Sequence, residues 1–115
     1  MSFVVRQLKL QSSFDEQVKM NYNFEWDPYK AQLNHKKHDI RFEEAATIFR
    51  DPEALTIFDP DHSKIEDRWI TIGISKKGRL LIVCHTFQEE NKDSVIIRIF
   101  SSRKAIKKEN RLYGG

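Results

Sequence analysis

Six side chains in this chain have the types that proton transfer beside a phosphate requires: Arg68, His85, Arg98, Ser101, Arg103 and Tyr113, with His38 in reserve. An imidazole exchanges a proton near neutral pH, and hydroxyl and phenol groups can relay one. Guanidinium groups stabilise charge that builds on a crowded phosphate. Each also has a plainer use. A lone histidine in an apolar strand is more often a hydrogen-bonded structural residue. Arg98 has a stronger claim, because an arginine inside "IIRIF" is costly unless it is paired or faces an anion.

Charge distribution narrows the partners. Residues 101–115 carry Arg103, Lys104, Lys107, Lys108 and Arg111 against Glu109 alone, a local +4. Residues 39–68 run the other way, with nine acidic and four basic groups, a local −5. The basic end suits an anionic partner, and Lys104, Lys107, Lys108 and Arg111 are the groups expected to meet it, backbone phosphates being one such partner. They would bind phosphates by charge without reading sequence. A merely solvated helix face is the competing reading.

At 115 residues the chain makes one domain, and 39% hydrophobic content is enough for a single core. No apolar run approaches the roughly 20 residues of a membrane span, and the opening "MSFVVRQLKLQSSFDEQ" lacks the apolar core of a signal peptide. The lone Cys84 cannot form an internal disulfide, which fits a reducing cytoplasm. His35 and His38 with His62 or Asp61 are the nearest approach to a metal-ligand set. "DPDHS" has the look of an oxygen-ligand loop, but there is no cysteine cluster and no HExxH. No metal and no cofactor are expected.

The elements that position these groups follow from pattern. After a short aromatic strand at "FEWD", Asp27-Pro28 is a capped helix start, and the helix runs to about His38, with His35, Lys36, Lys37 and His38 in its last turn. Phe42, Ala45, Ala46 and Phe49 form the stripe of a second helix, which Asp51-Pro52 ends. "EALTIFD", the alternating "DRWITIGIS", the apolar "LLIVCHTF" and "SVIIRIF" read as strands, with residues 88–93 a polar loop. Ser101 or Ser102 is expected to cap a C-terminal helix with Ala105, Ile106, Leu112 and Tyr113 as its apolar positions. The order β-α-α-β-β-β-β-α predicts an α+β domain: a small antiparallel-rich sheet, two N-terminal helices and a C-terminal helix. A two-residue hairpin at Lys77-Gly78 would set Ile70 opposite His85 and Arg68 diagonal to it on the same face; a loop one residue longer would break that pairing.

Taken in order, "FEWDPYKAQLNHKKHDIRFEEAATIF", "DPDHS", "DRWITIGISKKGRLLIVCHT" and "IIRIFSSRKAIKKE" resemble the BrnT family of type II toxin–antitoxin toxins over roughly residues 22–113. The resemblance implies a RelE-like fold, ribonuclease activity, growth arrest and silencing by a ribbon-helix-helix antitoxin of the BrnA type. DNA would be contacted only indirectly, through that antitoxin. For metal-free RNA cleavage the neighbouring 2′-hydroxyl is the nucleophile, and the six residues above would supply base, acid and cations. Proteins of this family commonly begin just before "FEWD", so residues 1–19 are expected to be an upstream extension or an added strand, with one toxin domain over 20–115. Relatives often carry glycine at the position of Asp39, whose backbone tolerance replaces it, and serine at that of Arg41, which leaves the second helix without a side-chain cap. The alternative is a non-catalytic module that binds RNA or protein.

Overall fold

The computed structural model describes residues 21–114; the expected extension over residues 1–19 lies outside them. Strand β1 (Asn21–Glu25) leads through the Asp27 cap, whose carboxylate accepts from Tyr29 N at 2.8 Å, into helix α1 (Pro28–His38). Asp39 ends α1 in the left-handed region at φ 59°, the role expected of it. Helix α2 (Phe42–Ala46) starts at Arg41 without a side-chain cap and tightens into a 3-10 turn over Thr47–Arg50. Strands β2 (Leu55–Phe58), β3 (Trp69–Ile74), β4 (Leu80–His85), β5 (Gln88–Asn91) and β6 (Ser94–Lys104) follow, and helix α3 (Lys107–Gly114) closes the described chain.

The sheet is mixed and six-stranded, in the order β1-β6-β4-β3-β2 with β5 also on β6. β1 runs parallel to β6, and the other pairings are antiparallel. One face takes α1 and α2. There Ile40, Phe42, Ala45, Ile48 and Phe49 pack on Trp69, Leu81, Val83, Val95, Ile97 and Ile99 to form the core. The 3-10 turn and the chain after it press so close to β3 that a Cβ on Gly73 would meet Ile48 Cβ at 3.1 Å and Ala54 Cβ at 3.3 Å, so any side chain there would push these neighbours aside.

Three sequence expectations are corrected. The β3–β4 turn holds three residues, Lys76 to Gly78: Ser75 N donates to Arg79 O, Gly78 N donates to Ser75 O (both 2.8 Å), and Gly78 takes φ 81°. His85 therefore lies opposite Trp69, not Ile70, and projects to the face away from Arg68. Part of residues 88–93 is strand β5, which was illegible because all four of its residues are exposed and carry no apolar alternation. Neither Ser101 nor Ser102 caps α3. β6 runs on to Lys104, and Glu109 instead accepts from Ile106 N at 2.9 Å.

The buried Asn34 clamps helix to sheet: its Nδ2 donates to Ile40 O and its Oδ1 accepts from Ser102 N, both at 3.0 Å. Asn34→Ala orphans both backbone groups, at about 1–3 kcal/mol each. In urea unfolding the midpoint should fall with the slope unchanged. A loss below about 0.5 kcal/mol would show that the clamp is dispensable.

Candidate functional site

The outer face of the sheet, away from α1 and α2, gathers the cations. Arg68 enters it just before β3 and Arg98 from β6, on either side of Thr86. Thr86 N donates to Arg98 O at 2.9 Å, and Arg98 N donates to Thr86 Oγ1 at 3.3 Å. β6 carries a bulge here: Cys84 pairs with Ser101 but His85 with Ile99, so Phe100 is the extra residue. The Arg68 guanidinium lies over the Phe100 ring, 3.9 Å from its centroid, with Lys30 Nζ at 5.5 Å and the Arg98 guanidinium at 5.8 Å. Cation–π contact fixes Arg68 without consuming all of its hydrogen-bonding capacity, and its buried Nε has no partner.

Two carboxylates touch this cluster. Glu66 Oε1 lies 3.4 Å from Arg98 Nη1 and 3.8 Å from Arg68 Nη2, while Glu25 Oε1 lies 3.3 Å from Arg98 Nε. All three contacts are longer than a tight guanidinium–carboxylate bond of about 2.7–2.9 Å. The "DPDHS" loop is fastened to the backbone of Arg68, two residues after Glu66. Ser63 Oγ donates to Asp59 O at 2.5 Å and accepts from Arg68 N at 2.9 Å, and Asp59 N donates to Arg68 O at 2.9 Å. His62 bonds Asp59 through Nδ1 at 2.8 Å, and His35 lies 3.8 Å from Asp39. Among the described residues no three groups of His, Cys, Asp or Glu converge as metal ligands would.

The other expected residues are dispersed. Ser101 opens onto the same face, beside the bulge. Arg103, two residues on, is held by Glu109 through two bonds of 2.9 and 2.7 Å; Arg103 pulls the Glu109 carboxyl below its usual range. Tyr113 lies toward the far end of β3, where its hydroxyl donates to Asp51 Oδ2 at 2.5 Å; the same oxygen accepts from Ile74 N at 2.8 Å. Lys104, Lys107, Lys108 and Arg111 are exposed along the end of β6 and α3. Lys30, Phe100, Glu66 and Glu25 escaped the sequence reading. Glu66 and Arg68 do stand two apart before a strand, a spacing that places them near each other.

His85 is not brought to this face. It is fully buried, edge-on to Phe49 at 4.9 Å between ring centroids. Its Nδ1 lies 2.8 Å from Thr86 O and so must carry the proton. Nε2 then accepts from Thr71 Oγ1 at 2.7 Å, and Thr71 accepts from Thr56 Oγ1 at 2.8 Å. Both ring nitrogens are thus partnered, and no counter-charge faces the ring. Burial lowers the His85 pKa to about 4.

The family profile described as "Ribonuclease toxin, BrnT, of type II toxin-antitoxin system" matches residues 26–109. The chain belongs to this family of ribonuclease toxins. No curated protein matches it. Among solved structures, that of the Brucella abortus ribonuclease toxin BrnT aligns with a TM-score of 0.44 at 22% identity, over 76% of this chain and 100% of that one.

Because the folded-state pKa of His85 lies below its unfolded value near 6.5, protonation favours the unfolded chain. The stabilisation is complete above about pH 6.5 and drains away as pH falls toward 4, by about 3 kcal/mol in total. Urea unfolding at a series of pH values should show this fall. It should be absent from His85→Gln, which starts less stable. An equal fall in the variant would assign the loss to other groups.

Proposed function

We propose that the protein is a toxin endoribonuclease that cleaves RNA without metal through the 2′-hydroxyl, arrests growth in the cytoplasm, and is neutralised by a BrnA-like ribbon-helix-helix antitoxin. DNA is reached only through that antitoxin, and the fold is read as RelE-like. The observation that carries the reading is the pair Arg68 and Arg98, set over Phe100 on an open face of a BrnT-family chain. Open access suits a polymer, and two guanidiniums on loose ion pairs can exchange carboxylate for phosphate. Ser101 lies within the same surface, Arg103 at its margin, and Lys104, Lys107, Lys108 and Arg111 extend it as a phosphate track. Tyr113 and His85 are read as structural, which removes the imidazole of the six first candidates from the proposed chemistry.

That removal favours a second reading, in which the arginine face binds RNA or a protein without cutting it. Cleavage assays separate the two. The purified full chain should cut single-stranded RNA in excess EDTA and leave 2′,3′-cyclic phosphate ends. Arg68→Ala should lower the rate by about 10²-fold or more. Activity that appears only with added divalent metal would overturn the mechanism, and tight binding without any cleavage would establish the second reading.

The phosphate track has its own test. Replacing Lys104 and Lys107 by Glu should weaken RNA binding and flatten its dependence on salt. An unchanged salt slope would place the RNA elsewhere.

A further inference from the structure

We propose that Glu66 is the general base of the reaction. It accepts the proton of the 2′-hydroxyl next to a phosphate that Arg68 and Arg98 hold. The assignment rests on the ribonuclease reading above.

A 2′-hydroxyl attacks phosphorus only when a group within hydrogen-bond reach removes its proton. His85 cannot, being sealed in the core with both ring nitrogens bonded. Tyr113 is tied to Asp51 near the other end of β3. The carboxylates that touch the arginine pair are Glu25 and Glu66. Glu25 stands on β1, touches Arg98 alone and is more than half exposed. Glu66 meets both guanidiniums, from a loop that Ser63 and Asp59 fasten to the start of β3.

The contact lengths carry the argument further. Arg103 and Glu109 close at 2.9 and 2.7 Å, as a structural pair does, whereas Glu66 sits at 3.4 and 3.8 Å from its two arginines. It bridges them without saturating either. A phosphate offers the same guanidinium edges two oxygens and displaces the carboxylate by a short distance. Glu66 is then beside the phosphate and no longer engaged, where the 2′-oxygen of the preceding ribose must lie. Arg68 does not follow it, because Phe100 holds the guanidinium in place.

The step balances without a redox partner. Glu66 takes the proton, the 2′-oxygen forms a bond to phosphorus, and the P–O5′ bond breaks. The departing 5′-oxygen takes a proton from water, leaving a 2′,3′-cyclic phosphate and a 5′-hydroxyl. Arg68 and Arg98 face the extra negative charge of the five-coordinate phosphorus. The charged groups around Glu66 are Arg68 just before β3, Arg98 from β6, Glu25 from β1, Lys30 from α1 and its neighbour Asp67.

The test uses full-length protein and a mixed-sequence single-stranded RNA in EDTA, with single-turnover rates followed from roughly pH 5 to 9 and product ends identified by mass. Glu66→Gln should lose about 10²–10⁴-fold in rate with little change in the RNA concentration that half-saturates, and should lose the acidic limb of the profile. Glu43→Gln, on the exposed side of α2, should stay within a few-fold of wild type. Should Glu66→Gln fold poorly by circular dichroism, Glu66→Ala with added formate supplies the second arm. Rescue of the rate by formate supports the role, and its absence in a folded variant opposes it. Glu66→Gln cleaving like wild type, with the same pH profile and cyclic-phosphate product, overturns the assignment and leaves the ribonuclease reading standing. A wild-type protein that cuts no RNA removes both.

Discussion

One extra residue in β6 decides which side chains meet on the outer face. Ile99 and Arg103 are four apart, and an unbroken pleat would put them on the same side of the sheet. Ile99 belongs in the core, so strict alternation would carry Arg103 into it as well, at a heavy desolvation cost. The bulge at Phe100 shifts the register by one. Ile99 stays inward opposite His85, Ser102 turns inward opposite Val83, and Arg98, Ser101 and Arg103 emerge together outside. The displaced residue is also the ring that seats Arg68. A local accommodation of core and charge thus creates the platform on which the arginines stand.

The polar groups of the two faces are built differently. On the helix side three networks are closed, although Tyr22 Oη, Trp69 Nε1 and Ser102 Oγ are buried there without a hydrogen-bond partner. Asn34 satisfies two backbone groups, His85 ends a chain from Thr56 through Thr71, and the buried Glu44 is gripped by Arg79 and Ser75. The Arg79 guanidinium, aided by Ser75, keeps the Glu44 carboxyl charged despite burial. Such networks fix α1 and α2 on the sheet, because breaking any member orphans a partner. On the outer face the Arg68, Arg98, Glu66 and Glu25 contacts are long and partly exposed.

Family membership rests on residues 26–109, a span that includes Glu66, Arg68, Arg98 and Phe100. It identifies the kind of toxin without distributing roles among side chains. The geometry brings Glu66 and Arg68, just after the "DPDHS" loop, to Arg98 and leaves His85 in the core. The Ser63 hydroxyl in that loop accepts from the backbone of Arg68, so the motif ties one part of the cluster to another.

The sequence by itself determined the helix over Pro28–His38 and its caps, the apolar stripe of the second helix and the strand cores. These are local matters: the Asp-Pro start, a spacing of three and four, and alternation. Only the tertiary structure decided which residues face each other. A three-residue turn in place of two put His85 on the core side, since a shift of one residue exchanges the faces of a strand. The bulge brought Phe100 under Arg68, and the loop returned Glu66 to Arg98, thirty-two residues away in the chain. Composition and periodicity carry no term for either, because turn length, bulge position and long-range pairing are fixed by packing against the rest of the sheet.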